Sequence, residues 1–351
     1  MTAPLGIIEG YYGKPWSWEA RKRAVSFLGP RGYSFYFYAP KADPFLRKRW
    51  REAHPDDQAR HLRQLGAHCR DLGVRFGVGL SPYEIYRAFD HAARRDLETK
   101  LSALCDLGIE SLAILFDDMR GDLPKLAETQ VEIMHWVAEH VPVKQLVVCP
   151  SYYTDDPVLD RFFGARPAHY LEEFGKRLDS KIEIFWTGEE VCSREYGVGH
   201  LSRVADQLGR KPLLWDNYPV NDGPRMSPYL HLRAFTGRPA AIGDHLSGHA
   251  INPALQPTLS LIPALSLIES YREGENYAYG RAFDRAARTV LGDELAHLVH
   301  EDLSFFQDLG LERLGSWVAT LRERYQAAGH PGAQEILDWL DGAYKVAKFE
   351  E

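Results

Sequence analysis

Asp117 and Asp118 stand side by side at the end of the apolar run Leu112-Ala113-Ile114-Leu115-Phe116. Two adjacent carboxylates repel each other and are costly to desolvate, so a hydrophobic core has little use for them. Crowding of like charge is expected to raise the proton affinity of at least one, and a general acid working near neutral pH needs that property. The pair also suits helix-capping or loop acids that follow a core strand. Other apolar runs end in a similar way: Glu9-Gly10-Tyr11-Tyr12-Gly13, Tyr38-Ala39-Pro40-Lys41, Pro150-Ser151-Tyr152-Tyr153, Trp186-Thr187-Gly188, Trp215-Asp216-Asn217 with Asn221-Asp222, and Asn252-Pro253. These ends hold neutral hydrogen-bonding groups, aromatic rings and carboxylates, with few cations. Such a mixture suits a neutral polyhydroxyl ligand and suits a phosphate poorly. The aromatic rings fit either the faces of a sugar or the rim of a barrel.

The elements that must carry these groups alternate with a short period. Strands are expected at 6–9, 34–38, 75–80, 112–116, 145–149, 182–186 and 212–215, with a short eighth near Ala250-Ile251. Helical spacing fills the intervals at 17–28, 56–72, 96–107, 128–140, 168–178, 200–208 and 259–271, with Ser17 as an N-cap and Gly73, Gly108 and Gly209 as stops. This is the rhythm of a TIM (β/α)8 barrel, which keeps its chemistry at the carboxyl ends of its strands. A doubly wound sheet is the rival. It usually carries a Gly-rich phosphate loop after its first strand, and Gly10-Tyr11-Tyr12-Gly13 lacks that form. After about Arg272 no strand pattern remains. Helical spacing at 282–296, 303–314, 317–327 and 333–348 predicts a small C-terminal helical region packed on the barrel. The division expected is therefore 1–271 for the barrel and 272–351 for the helical appendage.

Composition narrows the function classes. A net charge of −7 argues against a nucleic-acid surface. No apolar run approaches the roughly 18 residues of a membrane span. Met1-Thr2-Ala3-Pro4 shows no basic segment followed by a long apolar stretch, so no signal peptide is expected and the expected compartment is the cytoplasm. Cys69, Cys105, Cys149 and Cys192 are far apart and read as free, mostly buried thiols. No Cys/His spacing suggests zinc, His245 and His249 read as structural, and no metal or other cofactor is expected.

Taken together, Glu9-Gly10-Tyr11-Tyr12-Gly13-Lys14-Pro15-Trp16, Tyr38-Ala39-Pro40-Lys41-Ala42-Asp43 and Phe116-Asp117-Asp118 resemble glycoside hydrolase family 84, the O-GlcNAcases and related β-N-acetylglucosaminidases. Cys149-Pro150-Ser151-Tyr152-Tyr153, Trp186-Thr187-Gly188, Trp215-Asp216-Asn217-Tyr218-Pro219-Val220-Asn221-Asp222 and Ile251-Asn252-Pro253 extend the resemblance in order over about residues 5 to 270. No single element is specific; the linked set is.

The resemblance implies a TIM barrel and retaining hydrolysis in which the substrate's own 2-acetamido group attacks and forms an oxazoline. It implies Asp117 as the group that orients the acetamido N–H and Asp118 as acid and base. It implies Tyr153 on the acetamido carbonyl, Gly10, Lys41, Asn217, Asp222 and Asn252 on sugar hydroxyls, and Trp215 and Thr187 around the N-acetyl group. Tyr12 and Trp16 read as packing residues, and Asp43 and Asp216 as orienting or capping ones. Successive strand residues face opposite ways, so the adjacent aspartates need a turn just after the strand, and Gly121 lies close by. The implied partner is a terminal β-linked GlcNAc glycoside or glycoprotein, with no nucleic acid and no membrane.

Two departures bear on the rim of the pocket. Tyr83 follows Pro82 where the family tends to have glycine, and Pro253-Ala254-Leu255-Gln256-Pro257 lacks an expected acidic residue. Alternatives are a glycosidase for another 2-acetamido sugar such as β-GalNAc, a catalytically weak sugar-binding homologue, or a metal-dependent barrel hydrolase that EDTA would inhibit.

Overall fold

The computed structural model describes residues 3–346. Eight strands close into one barrel in chain order: β1 (Leu5–Ile8), β2 (Tyr33–Tyr38), β3 (Arg75–Leu80), β4 (Ser111–Leu115), β5 (Gln145–Cys149), β6 (Glu183–Trp186), β7 (Leu213–Asp216) and β8 (Gly248–Ile251). Every neighbouring pair is parallel, and β8 pairs with β1 to close the ring. Strands enclosed on both faces read as near-continuous apolar runs, and β4 is buried at every position. The expected strands match, two to the residue (β3 and β5) and five within a residue at each end, while β8 begins two residues before the expected Ala250.

Helices return the chain between strands. In the first half of the barrel they are α1 (Trp18–Leu28), α2 (Asp56–Asp71), α3 (His91–Cys105) and α4 (Leu126–His140). Ser17 caps α1 by accepting from Ala20 N, as expected. Helix α3 begins five residues before the expected 96, because Asp90 caps it by accepting from Ala93 N. Its polar first turn hid that start. Two helices follow β5, α5 (Val158–Phe163) and α6 (Tyr170–Arg177), then α7 (Val198–Leu208), the short α8 (Gly223–Met226) and α9 (Leu261–Glu273).

The tail is helical but more broken than its spacing suggests. The expected 282–296 helix is two, α10 (Tyr279–Leu291) and α11 (Asp293–Ser304), parted at Gly292 with φ 79°. The expected 303–314 helix is the end of α11, a π turn at Phe305–Leu309 and a single 3-10 turn at Leu311–Arg313. Helices α12 (Trp317–Gln326) and α13 (Pro331–Leu340) follow, and residues 347–348 of the last expected helix lie outside the described residues. Phe306, Tyr325, Ile336 and Trp339 join the same buried cluster as the barrel. Glu335 of α13 accepts from Thr258 N and Leu259 N, both at 2.9 Å, and so ties the tail to the loop after β8. Among the described residues no helix is long and apolar enough to cross a membrane.

Candidate active site

The carboxyl edge of β4 sets the site. Phe116 N still bonds Cys149 O at 2.9 Å, so Asp117 is the first residue free of the sheet. Asp118 then adopts φ 53°, a left-handed conformation that brings its side chain round to the space Asp117 faces. The turn expected just after the strand is made by Asp118 itself, three residues before Gly121. A non-glycine residue held there costs on the order of 1 kcal/mol or more. Three groups from three loops hold it in place. Arg47 Nη2 donates to the Asp118 carbonyl at 2.9 Å, the Tyr12 hydroxyl donates to Oδ2 at 2.9 Å, and the Tyr153 hydroxyl donates to Oδ1 at 2.8 Å. Burial first, and the Asp118 charge second, push both phenols well above their usual range, so each keeps its proton and acts as a donor.

Asp117 is held differently. Lys41, from the end of β2, places Nζ 2.5 Å from Asp117 Oδ2, with both side chains buried. Asp117 Oδ1 is equally buried and has no hydrogen-bond donor. A buried carboxylate oxygen without a donor forfeits about 1–3 kcal/mol, more for a charged group. A ligand N–H is the chemistry that would satisfy it.

The other expected site residues form a chain of polar contacts beside this pair. Gly10 N donates to Asn252 Oδ1 at 3.1 Å, and Asn252 Nδ2 donates to Asn217 Oδ1 at 2.9 Å. Trp215 Nε1 donates to that same oxygen at 3.0 Å, and Asn217 Nδ2 reaches Val191 O at 2.7 Å. The Lys41 ammonium lies 5.8 Å from the Trp215 ring centroid and joins the two groups. A Cβ on Gly10 would collide with Trp215 Cζ2, so only glycine lets this backbone approach the ring. Asp222 Oδ2 accepts from Tyr12 N at 2.7 Å; burial, with the Asp118 charge adding to it, pushes the Asp222 carboxyl up to about 6. Thr187 is buried, and its N–H bonds Tyr153 O at 2.9 Å, fixing the loop after β5 that carries Tyr153.

Gly10, Lys41, Asp117, Asp118, Tyr153, Thr187, Trp215, Asn217, Asp222 and Asn252 thus come together at one end of the barrel. Two further residues belong here. Tyr12, read from sequence as packing, has its hydroxyl on Asp118 and its N–H on Asp222. Its place in the motif after β1 was the available signal. Arg47 sits in the charged stretch Arg47-Lys48-Arg49, where nothing in the sequence marks the one that turns inward. Trp16 is packing, with Nε1 on Ala254 O. Asp43 caps the turn at Phe45 N, and Asp216 binds Arg238 and His249. Among the described residues no group of three or more His, Cys, Asp or Glu could hold a metal ion.

A family model described as beta-N-acetylglucosaminidase matches residues 5–308. The chain belongs to the β-N-acetylglucosaminidase family. It is family 84 of the glycoside hydrolases, the one its motifs resemble. Protein O-GlcNAcase of Rattus norvegicus and that of Mus musculus are each 28% identical over 280 residues, 77% of this chain and 30% of theirs. The chain therefore spans under a third of the length of these curated relatives. Among solved structures, a mutant of the Thermobaculum terrenum O-GlcNAc hydrolase matches with TM-score 0.80 at 28% identity, covering 96% of this chain and 80% of that one. The structure of CpGH84B matches with TM-score 0.74 at 26% identity, covering 96% and 60%.

Proposed function

We propose that the protein is a retaining exo-β-N-acetylglucosaminidase of the O-GlcNAcase type that works through an oxazoline formed by its substrate. The observation that carries this is the unequal treatment of two adjacent carboxylates. Asp118 has a hydrogen-bonding partner on each oxygen, while Asp117 is buried with one oxygen neutralised by Lys41 and the other open to a donor. An acid paired with an enzymic nucleophile would need carboxylates on opposite sides of the glycosidic bond. Here both sit on one turn, which fits one carboxylate for the acetamido group and one for the leaving oxygen.

In the first step the acetamido carbonyl oxygen attacks the anomeric carbon as the glycosidic C–O bond breaks. Asp118 gives its proton to the leaving oxygen. Asp117 Oδ1 accepts the acetamido N–H and offsets the positive charge that develops on the oxazolinium. Tyr153 donates to the acetamido carbonyl and aims it. In the second step Asp118 takes a proton from water, which attacks the anomeric carbon and opens the ring with net retention. Gly10, Lys41, Asn217, Asp222 and Asn252 bind the hydroxyls, with Trp215 and Thr187 around the N-acetyl group. The catalytic unit is 1–271, with 272–351 as its helical support. A GlcNAc-bearing protein is the substrate class that the relatives' names suggest.

The test is release of 4-methylumbelliferone from its β-N-acetylglucosaminide, with and without EDTA, by wild type, Asp117→Asn and Asp118→Asn. Turnover indifferent to EDTA and lost in Asp117→Asn supports the reading. Asp118→Asn should lose about 10²–10⁴ on an alkyl glycoside, the size of a general-acid contribution, and far less with a nitrophenolate leaving group. Equal losses with both leaving groups would remove Asp118 from its role as acid.

A further inference from the structure

A general acid must carry a proton where the leaving oxygen can reach it, yet both oxygens of Asp118 already accept from phenols. Two donated hydrogen bonds favour the ionised carboxylate, the wrong form for the first step. The two phenols are not equivalent. Tyr12 is fastened through its own N–H to Asp222, and nothing in the proposed reaction draws its hydroxyl elsewhere. Tyr153 is the residue to which the oxazoline reading gives a second acceptor, the acetamido carbonyl. One phenol O–H cannot serve both acceptors at full strength.

We propose that Tyr153 gates the proton on Asp118: its hydroxyl leaves Asp118 Oδ1 for the acetamido carbonyl of a bound 2-acetamido sugar, and the acid then takes up its proton with substrate in place. This rests on the substrate-assisted reading above. The proton comes from solvent and settles on Oδ1, while Tyr153 keeps its own proton throughout. Tyr12 stays on Oδ2, and Arg47 keeps its grip on the Asp118 carbonyl, so the carboxyl does not swing as its charge changes. The other ionisable groups facing the site are Lys41, Asp117, Asp222 and the buried Cys149 thiol. Lys41 stays on Asp117, so the bound acetamido group replaces only the Tyr153 contact with Asp118. Gating of this kind keeps the free site in its base form and makes the acid only for sugars that carry the acetamido group.

The experiment is calorimetry of a methyl 1-thio-β-N-acetylglucosaminide, which resists hydrolysis, in phosphate and in imidazole near neutral pH. The difference in heat between the two buffers reads the protons exchanged on binding. Wild type should take up a proton beyond whatever Asp118→Asn takes up, because Asp222 titrates in both. Tyr153→Phe should take up less than wild type, its Asp118 having lost the phenol already. Uptake equal in wild type and Asp118→Asn, or undiminished in Tyr153→Phe, overturns the gate. No heat of binding in wild type points instead to failure of the sugar reading itself. A second readout needs only wild type. The basic limb of kcat reports the bound complex and that of kcat/KM the free enzyme. The first should lie at the higher pH, because a hydrogen bond to the carboxylate is lost on binding; coincident limbs overturn the proposal.

Discussion

Asp117 and Asp216 are both buried aspartates at the carboxyl ends of barrel strands, and the protein treats them in opposite ways. Asp216 is saturated. Arg238 donates to Oδ1 through Nη2 at 2.6 Å and to Oδ2 through Nε at 2.9 Å, and His249 Nε2 adds a bond to Oδ2 at 2.9 Å. Burial works against the Asp216 charge, but the guanidinium and the imidazole N–H outweigh it and hold the carboxyl below its ordinary 3.8. Burial also keeps His249 neutral, so its Nε2 proton goes to Asp216 while Nδ1 faces the Tyr271 hydroxyl. Arg238 spends its remaining N–H groups on the carbonyls of Ser193, Arg194 and Thr236, knitting the loops behind the site. Asp117 has one cation and one empty oxygen. A charge with every bond made holds a scaffold; a charge with a bond left unmade can still take one from a ligand.

The same substitution separates the two. In Asp216→Asn the new NH2 must face Arg238 or His249, donor against donor, whichever way the amide turns. Breaking a buried, bonded ion pair costs about 3–5 kcal/mol. In Asp117→Asn the NH2 can occupy the Oδ1 position, where no donor waits, and Lys41 keeps an oxygen. We expect urea unfolding to show a loss for both, because Lys41 like Arg238 loses its buried counter-charge, with the larger loss for Asp216→Asn, where donors also meet. Activity should run the other way. Asp117→Asn presents a donor to the substrate N–H and should lose about 10²–10³ in kcat, the scale of one misplaced electrostatic group. Folded Asp216→Asn should keep most of its turnover. If both variants lost stability equally, the contrast between scaffold and site would collapse.

A third aspartate sharpens the contrast through pH. The folded Asp222 carboxyl stands at about 6, against an ordinary value of 3.8. A raised carboxyl adds stability that is fully present below 3.8 and lost as pH rises through about 6. For Asp216 the sign reverses: its contribution is present above 3.8 and is lost as pH falls below that value. Asp222→Asn retains an acceptor for Tyr12 N without the buried charge. At pH above the transition it should be more stable than wild type by about 2–3 kcal/mol, at 1.36 kcal/mol per pKa unit, while KM for the glycoside rises. Unfolding curves for wild type and variant that stay parallel from acid to neutral pH would remove the buried charge as the cause. A residue kept for binding rather than for the fold is expected to carry such a cost.

How much of this was legible from the chain depended on whether the controlling contact was local. The strands announced themselves because each is a short apolar run stopped by polar residues. The α1 start was written in Ser17, whose side chain closes its own first turn. Where a single backbone angle decides, the pattern misled. Apolar spacing runs on through Gly292, but its φ of 79° ends one helix and begins another. The turn expected just after β4 falls on Asp118, a non-glycine residue, because contacts from Arg47, Tyr12 and Tyr153 hold it there. Those contacts are distant in sequence, so no window of residues contains them. The motif resemblance placed the site residues within the chain. It said nothing of Arg47, whose Nη2 reaches a carbonyl 71 positions away.

The smallest effect we predict probes the joint between the two regions. Gly10 follows β1 and Trp215 lies within β7, where it adjoins Asp216 of the scaffold while its ring faces Lys41 of the site. In Gly10→Ala the new methyl falls within the Trp215 indole, so ring or backbone must shift. Overpacking of this kind costs about 1–3 kcal/mol. The indole cannot move without straining its bond to Asn217 Oδ1, the oxygen that also anchors Asn252. The strain should therefore pass to the sugar side. KM should rise several-fold while kcat falls less, because the Asp117, Asp118 and Tyr153 geometry rests on β4 and β5 instead. Steady-state kinetics on the methylumbelliferyl glycoside decides it. A Gly10→Ala variant whose loss lay wholly in kcat would mean that Trp215 and the aspartates move as one unit, and the division into scaffold and site would have to be redrawn around the indole.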